Sequence, residues 1–93
     1  MEKMEMRMSI YTVERVLWDL HAQPDLASRF RAEPEGVLDG YPLEGDERGL
    51  VTSLDVRAMA DRGASQMLLF VAWMALQGPG TTPEYMRRMN TRL

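Results

Sequence analysis

The side chains able to do chemistry are few. His21 is the single histidine and there is no cysteine. Zinc sites of the common kinds need several His or Cys ligands. A non-haem Fe(II) facial triad needs two His and a carboxylate. One histidine supplies neither within one chain. Without cysteine there is no disulfide, no thiolate ligand and no thiol nucleophile. Nothing around His21 suggests a Ser-His-Asp arrangement, and it reads as a surface residue near a helix end, where partial positive charge is favourable. The carboxylate pairs Glu33/Glu35 and Asp46/Glu47 have the composition of a general acid-base pair, but each sits at an expected helix start, where carboxylates offset the helix dipole. Arg57 and Arg62 flank a short helix ending at Gly63 and read as solvated or surface-paired cations, with pairing to carboxylates of a partner as the functional alternative. Gly63 and Gly78 read as C-terminal helix caps. No catalytic residue, metal site or cofactor-binding site is therefore expected within this chain.

The elements that would position these residues are helical throughout, because apolar residues recur at three- and four-residue spacing and never in sustained alternation. Residues 1–8 form a polar, methionine-rich leader, expected as a flexible N-terminal segment although Met1, Met4 and Met8 could share a helical face. Ser9 or Thr12 is expected to cap a helix running to Ala22, with Ile10, Val13, Val16, Leu17 and Leu20 as its apolar stripe and Trp18 off it. Pro24 opens a second helix carrying Leu26 and Phe30. Pro34 opens a third, with Val37 and Leu38, which Gly40 is placed to stop. An acidic start at Glu44, Asp46 and Glu47 leads to Leu50, Val51 and Leu54. Asp55 caps a short helix with Met59. Ser65 caps an apolar helix over 66–76, and Gly78-Pro79-Gly80 breaks the chain. Thr82 followed by Pro83 starts a last helix to about Asn90. The expectation is an all-α, compact single domain of about six to seven short helices over residues 9–93.

Composition narrows the partners. The chain has 93 residues, a formal charge of −3 and a pI near 5.1. A mildly acidic surface is a poor match for nucleic-acid phosphates. The longest apolar run, Met67 to Leu76, is about half of a membrane span. Residues 1–8 lack the apolar core of a signal peptide. No nucleic acid, no membrane and a cytoplasmic location are therefore expected. Ten arginines against one lysine, Lys3, are dispersed among acids and read as genome composition.

Residues 67–76 are apolar around the whole helix. Such a helix is either enclosed or docks on something, and enclosure is hard in a domain with roughly 5,500 Å² of folded surface. Met67, Phe70, Trp73 and Met74 are the candidate residues of a partner interface or pocket wall, because Trp and Met favour interfaces and Met adapts to varied shapes.

The order of segments carries a family resemblance. It lies in Glu14-Arg15-Val16-Leu17-Trp18-Asp19-Leu20, then Pro24, then Arg29-Phe30-Arg31-Ala32-Glu33-Pro34-Glu35-Gly36-Val37-Leu38. It continues through Tyr41-Pro42-Leu43-Glu44-Gly45-Asp46-Glu47-Arg48 and Leu54-Asp55-Val56-Arg57-Ala58-Met59 to Gly63 and the apolar helix. Over about residues 10–90 this resembles the small (alpha) subunit of protocatechuate 4,5-dioxygenase-type class II extradiol ring-cleaving dioxygenases, in a short form similar to the small subunit of 2'-aminobiphenyl-2,3-diol 1,2-dioxygenase. The resemblance implies a non-catalytic accessory subunit of an oxidoreductase complex in aromatic-compound catabolism. Its partner would be a catalytic beta subunit that binds Fe(II) and supplies the histidines, and this chain would cover the active-site cleft. The longer members have terminal segments absent here, so no pocket residue is carried over. Two other readings stand beside it. One is a helical docking module that recruits a peptide-modifying enzyme, against which counts the short tail Thr91 to Leu93. The other is a homodimer burying the apolar helix between two copies.

Overall fold

The computed structural model describes the backbone of residues 2–90 and the side chains of residues 10–90. Seven helices follow in order: α1 (Glu2–Ala22), α2 (Pro24–Ala32), α3 (Pro34–Leu38), α4 (Glu47–Thr52), α5 (Val56–Asp61), α6 (Gln66–Gln77) and α7 (Thr82–Asn90). There is no strand among the described residues, and the fold is the expected all-α single domain. Its surface is 6071 Å² and its radius of gyration 12.7 Å, close to what a globule of this length should have.

The centre is α1 packed along α6. α1 gives Ile10, Val13, Val16, Leu17 and Leu20, all buried, as its three- and four-residue spacing dictates. α6 answers with Leu69, Ala72, Trp73 and Leu76. α2 closes one end through Ala27 and Phe30, α3 adds Val37 and Leu38, and α4 and α5 add Val51, Val56 and Met59. α7 lies on the other flank of α6 and brings Tyr85.

Several helix ends fall where local chemistry placed them. Asp55 accepts a hydrogen bond from the Ala58 N–H at 3.2 Å, and Ser65 accepts one from Leu68 N–H at 3.3 Å. Pro24 and Pro34 each open their helix. Gly63 and Gly78 take positive φ just past α5 and α6, where a β-carbon would be disfavoured.

Other ends differ from expectation. α1 begins at Glu2, so Ser9 and Thr12 lie inside it and not at its start; the helix includes residues 2–8 of the expected leader. Met1 and the tail Thr91 to Leu93 lie outside the described residues. α3 stops at Leu38 with Asp39 as its cap, ahead of Gly40. α7 starts one residue early: the Thr81 carbonyl accepts from the Glu84 and Tyr85 N–H groups, so Thr81 stands at the cap position and Thr82 is already helical. The acidic pairs at α3 and α4 do not cap with their leading carboxylates: Glu33 and Asp46 make no side-chain cap bond. Glu35 pairs with Arg48 at 2.6 Å, and Asp46 binds both nitrogens of Arg62 at 2.7 and 2.6 Å. Glu47 does serve the helix start, accepting from the Glu44 N–H at 2.9 Å, and is buried there.

The arginines are scattered in sequence but gathered at helix ends. Arg31 donates to the Ala75 carbonyl near the end of α6, Arg48 to Glu35 in α3, and Arg57 to Met89 in α7. Arg88 donates to the Ser53 and Leu54 carbonyls just after α4. Guanidinium forks at helix C-termini satisfy orphan carbonyls and oppose the dipole's negative end. Arg88 also holds a harder turn: Leu54 is buried with φ +53°, a conformation costly for a residue with a branched side chain.

Candidate docking surface

α6 contains no charged residue from Gln66 to Gln77. Its inner side is committed to the core, so what remains outward decides what it offers. Of the four residues singled out from the sequence, Met67 is 74% exposed and Phe70 is 37% exposed, while Met74 is half-buried. Trp73 is buried at 2% and belongs to the core. Thus three of the four reach the surface of one helix, spaced by three and four residues, and the fourth supports them from beneath.

That support is specific. The Trp73 indole N–H donates to Thr81 Oγ1 at 2.9 Å, and Thr81 in turn donates to the Gly78 carbonyl at 2.7 Å. The buried N–H is thereby satisfied, and the α6–α7 loop is tied to the helix it leaves. The Arg88 guanidinium lies over the Trp73 ring, 5.0 Å from its centroid. Its other contacts run to Glu84 at 2.9 Å and to the α4 end. Glu84 also takes Arg87 in a two-point pair, and these two arginines hold its carboxyl low, at about 2.

Tyr85 fixes the neighbouring helix against the same ridge. Its ring meets Phe70 edge-on at 5.2 Å and Trp73 edge-on at 5.8 Å. Its hydroxyl donates to the Gln66 carbonyl at 3.4 Å, and burial pushes its pKa up. One turn along, Thr82 Oγ1 approaches Met74 Sδ at 3.9 Å. Met86 lies one turn after Thr82 and is 49% exposed. Phe70 and Met74 are therefore held in place by α7. Sequence reading found the α6 residues through their unbroken apolarity. It missed Tyr85 and Met86, because α7 is polar on average and its alignment with α6 is a tertiary fact. A cue was available in Tyr85 and Met89, four residues apart on one face.

Among the described residues no three His, Cys, Asp or Glu side chains are placed to hold a metal ion. His21 lies on α1 in ring contact with exposed Trp18, centroids 5.3 Å apart. Asp19 accepts a short 2.7 Å bond from the Tyr41 hydroxyl; burial and that carboxylate push Tyr41 up to about 12, away from acid-base use near neutrality. Arg57 and Arg62 are engaged with Asp61 and Asp46. No described helix is long and apolar enough to cross a membrane.

What the arrangement can do is bind. It is a firm apolar ridge with aromatic and thioether side chains, braced from behind by a hydrogen-bonded tryptophan. Comparison with known proteins found no matching family model, no matching curated protein and no matching solved structure.

Proposed function

We propose that this chain is a non-catalytic helical subunit that acts by seating the α6 ridge on a larger protein. The observation that carries the reading is the uncharged α6, which leaves Met67 and Phe70 outward although the core had Leu69, Ala72, Trp73 and Leu76 to enclose. An exposed apolar patch braced in this way is characteristic of interaction sites. The segment order described above supports a particular partner: the Fe(II)-binding catalytic beta subunit of an extradiol ring-cleaving dioxygenase, in the cytoplasm. In that complex the iron and its histidines would belong to the partner and supply the oxygen chemistry. This chain would cover the cleft, exclude water and offer an apolar wall to an aromatic substrate. Met67, Phe70 and Met74 would form the contact. Trp73 would act indirectly, by holding the ridge.

The test is reconstitution. The chain and a candidate beta subunit are purified separately, and oxygen uptake with Fe(II) and a catechol is followed as the chain is titrated in. A saturable rise in rate, lost with Phe70→Asp while the variant keeps its helical circular dichroism, supports the reading. A rate independent of the chain removes the dioxygenase from it.

A further inference from the structure

α1 carries a second periodic stripe that the core does not use. Tyr11, Arg15, Trp18 and Ala22 follow one another at intervals of four, three and four residues, the alternation of a heptad seam. They lie on the opposite side of the helix from Ile10, Val13, Leu17 and Leu20. All four are exposed: Tyr11 at 57%, Trp18 at 52% and the Arg15 side chain at 75%. In sequence, Met8 and Met4 continue the same alternation toward the start of the 21-residue helix. A helix with a core stripe and an opposite seam has two faces to bury, and the fold buries one.

We propose that this seam pairs with the α1 seam of a second copy of the chain, antiparallel, about a twofold axis between residues 16 and 17. The charges choose the copy and the direction. Parallel pairing would set Arg15 against Arg15 of the other copy in one layer, like charges at the centre of the seam. Antiparallel pairing places each Arg15 on the exposed Trp18 indole of the other copy, a cation–π contact made twice by symmetry. It also sets Tyr11 over the small Ala22. Tyr11 and Trp18, each about half exposed, contribute roughly 100 Å² apiece. With the Arg15 stems and the flanking residues the seam reaches about half of the ~800 Å² per partner in a standard interface. The pairing is therefore weak and populated only at high protein concentration. It is independent of the docking proposed for α6, since the two ridges lie on different helices.

The absence of cysteine makes the test clean. Tyr11→Cys and Ala22→Cys are made as separate proteins and oxidised at several hundred micromolar, alone and mixed. The antiparallel seam predicts a disulfide-linked dimer from the mixture only, because like positions sit about 16 Å apart along the axis. Trp18→Glu added to both should cut that yield at least tenfold, while Met67→Asp should leave it unchanged. Sedimentation equilibrium of the unmodified chain should show a reversible dimer. A monomer up to about 1 mM, or Tyr11→Cys linking to itself as a parallel seam requires, overturns the proposal.

Discussion

Arg31, Arg57 and Arg88 each reach across to carbonyls at or just past the C-terminal end of another helix, Arg48 reaches Glu35 in α3, and most of these clasps lie around α2 to α5. No large hydrophobic side chain of α2 to α5 is left exposed. On α1, α6 and α7 the pattern reverses: Tyr11, Trp18, Met67, Phe70 and Met86 are the exposed large hydrophobics among the described residues. One side is finished with ion pairs and capped ends, so it is complete as it stands. The other is finished with apolar ridges held rigid from behind. The difference separates what holds this fold from what the fold holds out. A residue's type does not decide it, since Trp73 and Phe70 lie three apart on one helix and serve opposite sides of that division.

The largest effect tests that last pair. Trp73→Ala should cost about 3–5 kcal/mol in urea unfolding, by cavity formation and the loss of a satisfied N–H. In a domain whose whole stability is of order 5–15 kcal/mol this brings it close to unfolding. Met67→Asp, on the same helix, should change stability by no more than about 0.5 kcal/mol and still abolish docking. Equal destabilisation by the two would erase the contrast between brace and ridge.

Breaking a clasp comes next. Arg88→Ala leaves Glu84 with one arginine, removes the donor to the Ser53 carbonyl, leaves the Leu54 carbonyl with the Val56 N–H alone, and uncovers the Trp73 face. A loss of about 1.5–3 kcal/mol in the same unfolding experiment is expected, and Arg88→Lys should recover little, because an ammonium cannot span these acceptors. Full recovery by lysine would show that charge alone matters.

Tyr41 reports on the join between α1 and the loop after α3. Its folded pKa is raised above the ordinary 10.0 to about 12 by burial and by Asp19. A raised pKa favours the protonated folded state, so this contribution is complete below pH 10 and is lost as pH rises toward 12. Unfolding free energy followed by fluorescence should fall across that window, and Tyr41→Phe should flatten the slope. An unchanged slope would remove the Tyr41–Asp19 bond from the account. The smallest effect belongs to the exposed pair Arg62–Asp46: despite its two short contacts, Asp46→Asn should barely lower the thermal unfolding midpoint in low salt and leave it unchanged in high salt.

Legibility in the sequence followed the reach of each interaction. The α1 stripe, the Asp55 and Ser65 caps and the two proline starts were readable, because each rests on residues within a turn or two of one another. The apolar run also located α6 and the ridge. Leu54 in the left-handed region was not readable, since a leucine gives no sign of it; core burial and Arg88, 34 residues away, hold it there. The arginine clasps were invisible for the same reason. Arg31 and Ala75 are 44 residues apart, and only the packing of α2 on α6 makes them neighbours. An all-apolar helix gives no phase, so the sequence does not separate buried Trp73 from outward Phe70. Its phase comes from Thr81 and Tyr85 on the far side of the loop.

The central claim is that the α6 ridge seats on a larger, iron-bearing partner. Its most direct measurement is co-purification from the native host with the unmodified chain and with Phe70→Asp in parallel, followed by Fe(II)-dependent oxygen uptake of the recovered material with catechols. The account predicts one larger, histidine-bearing protein with the unmodified chain, oxygen uptake in that fraction, and neither with the folded variant. Equal recovery by both proteins, or a recovered partner without oxygen uptake, would contradict it.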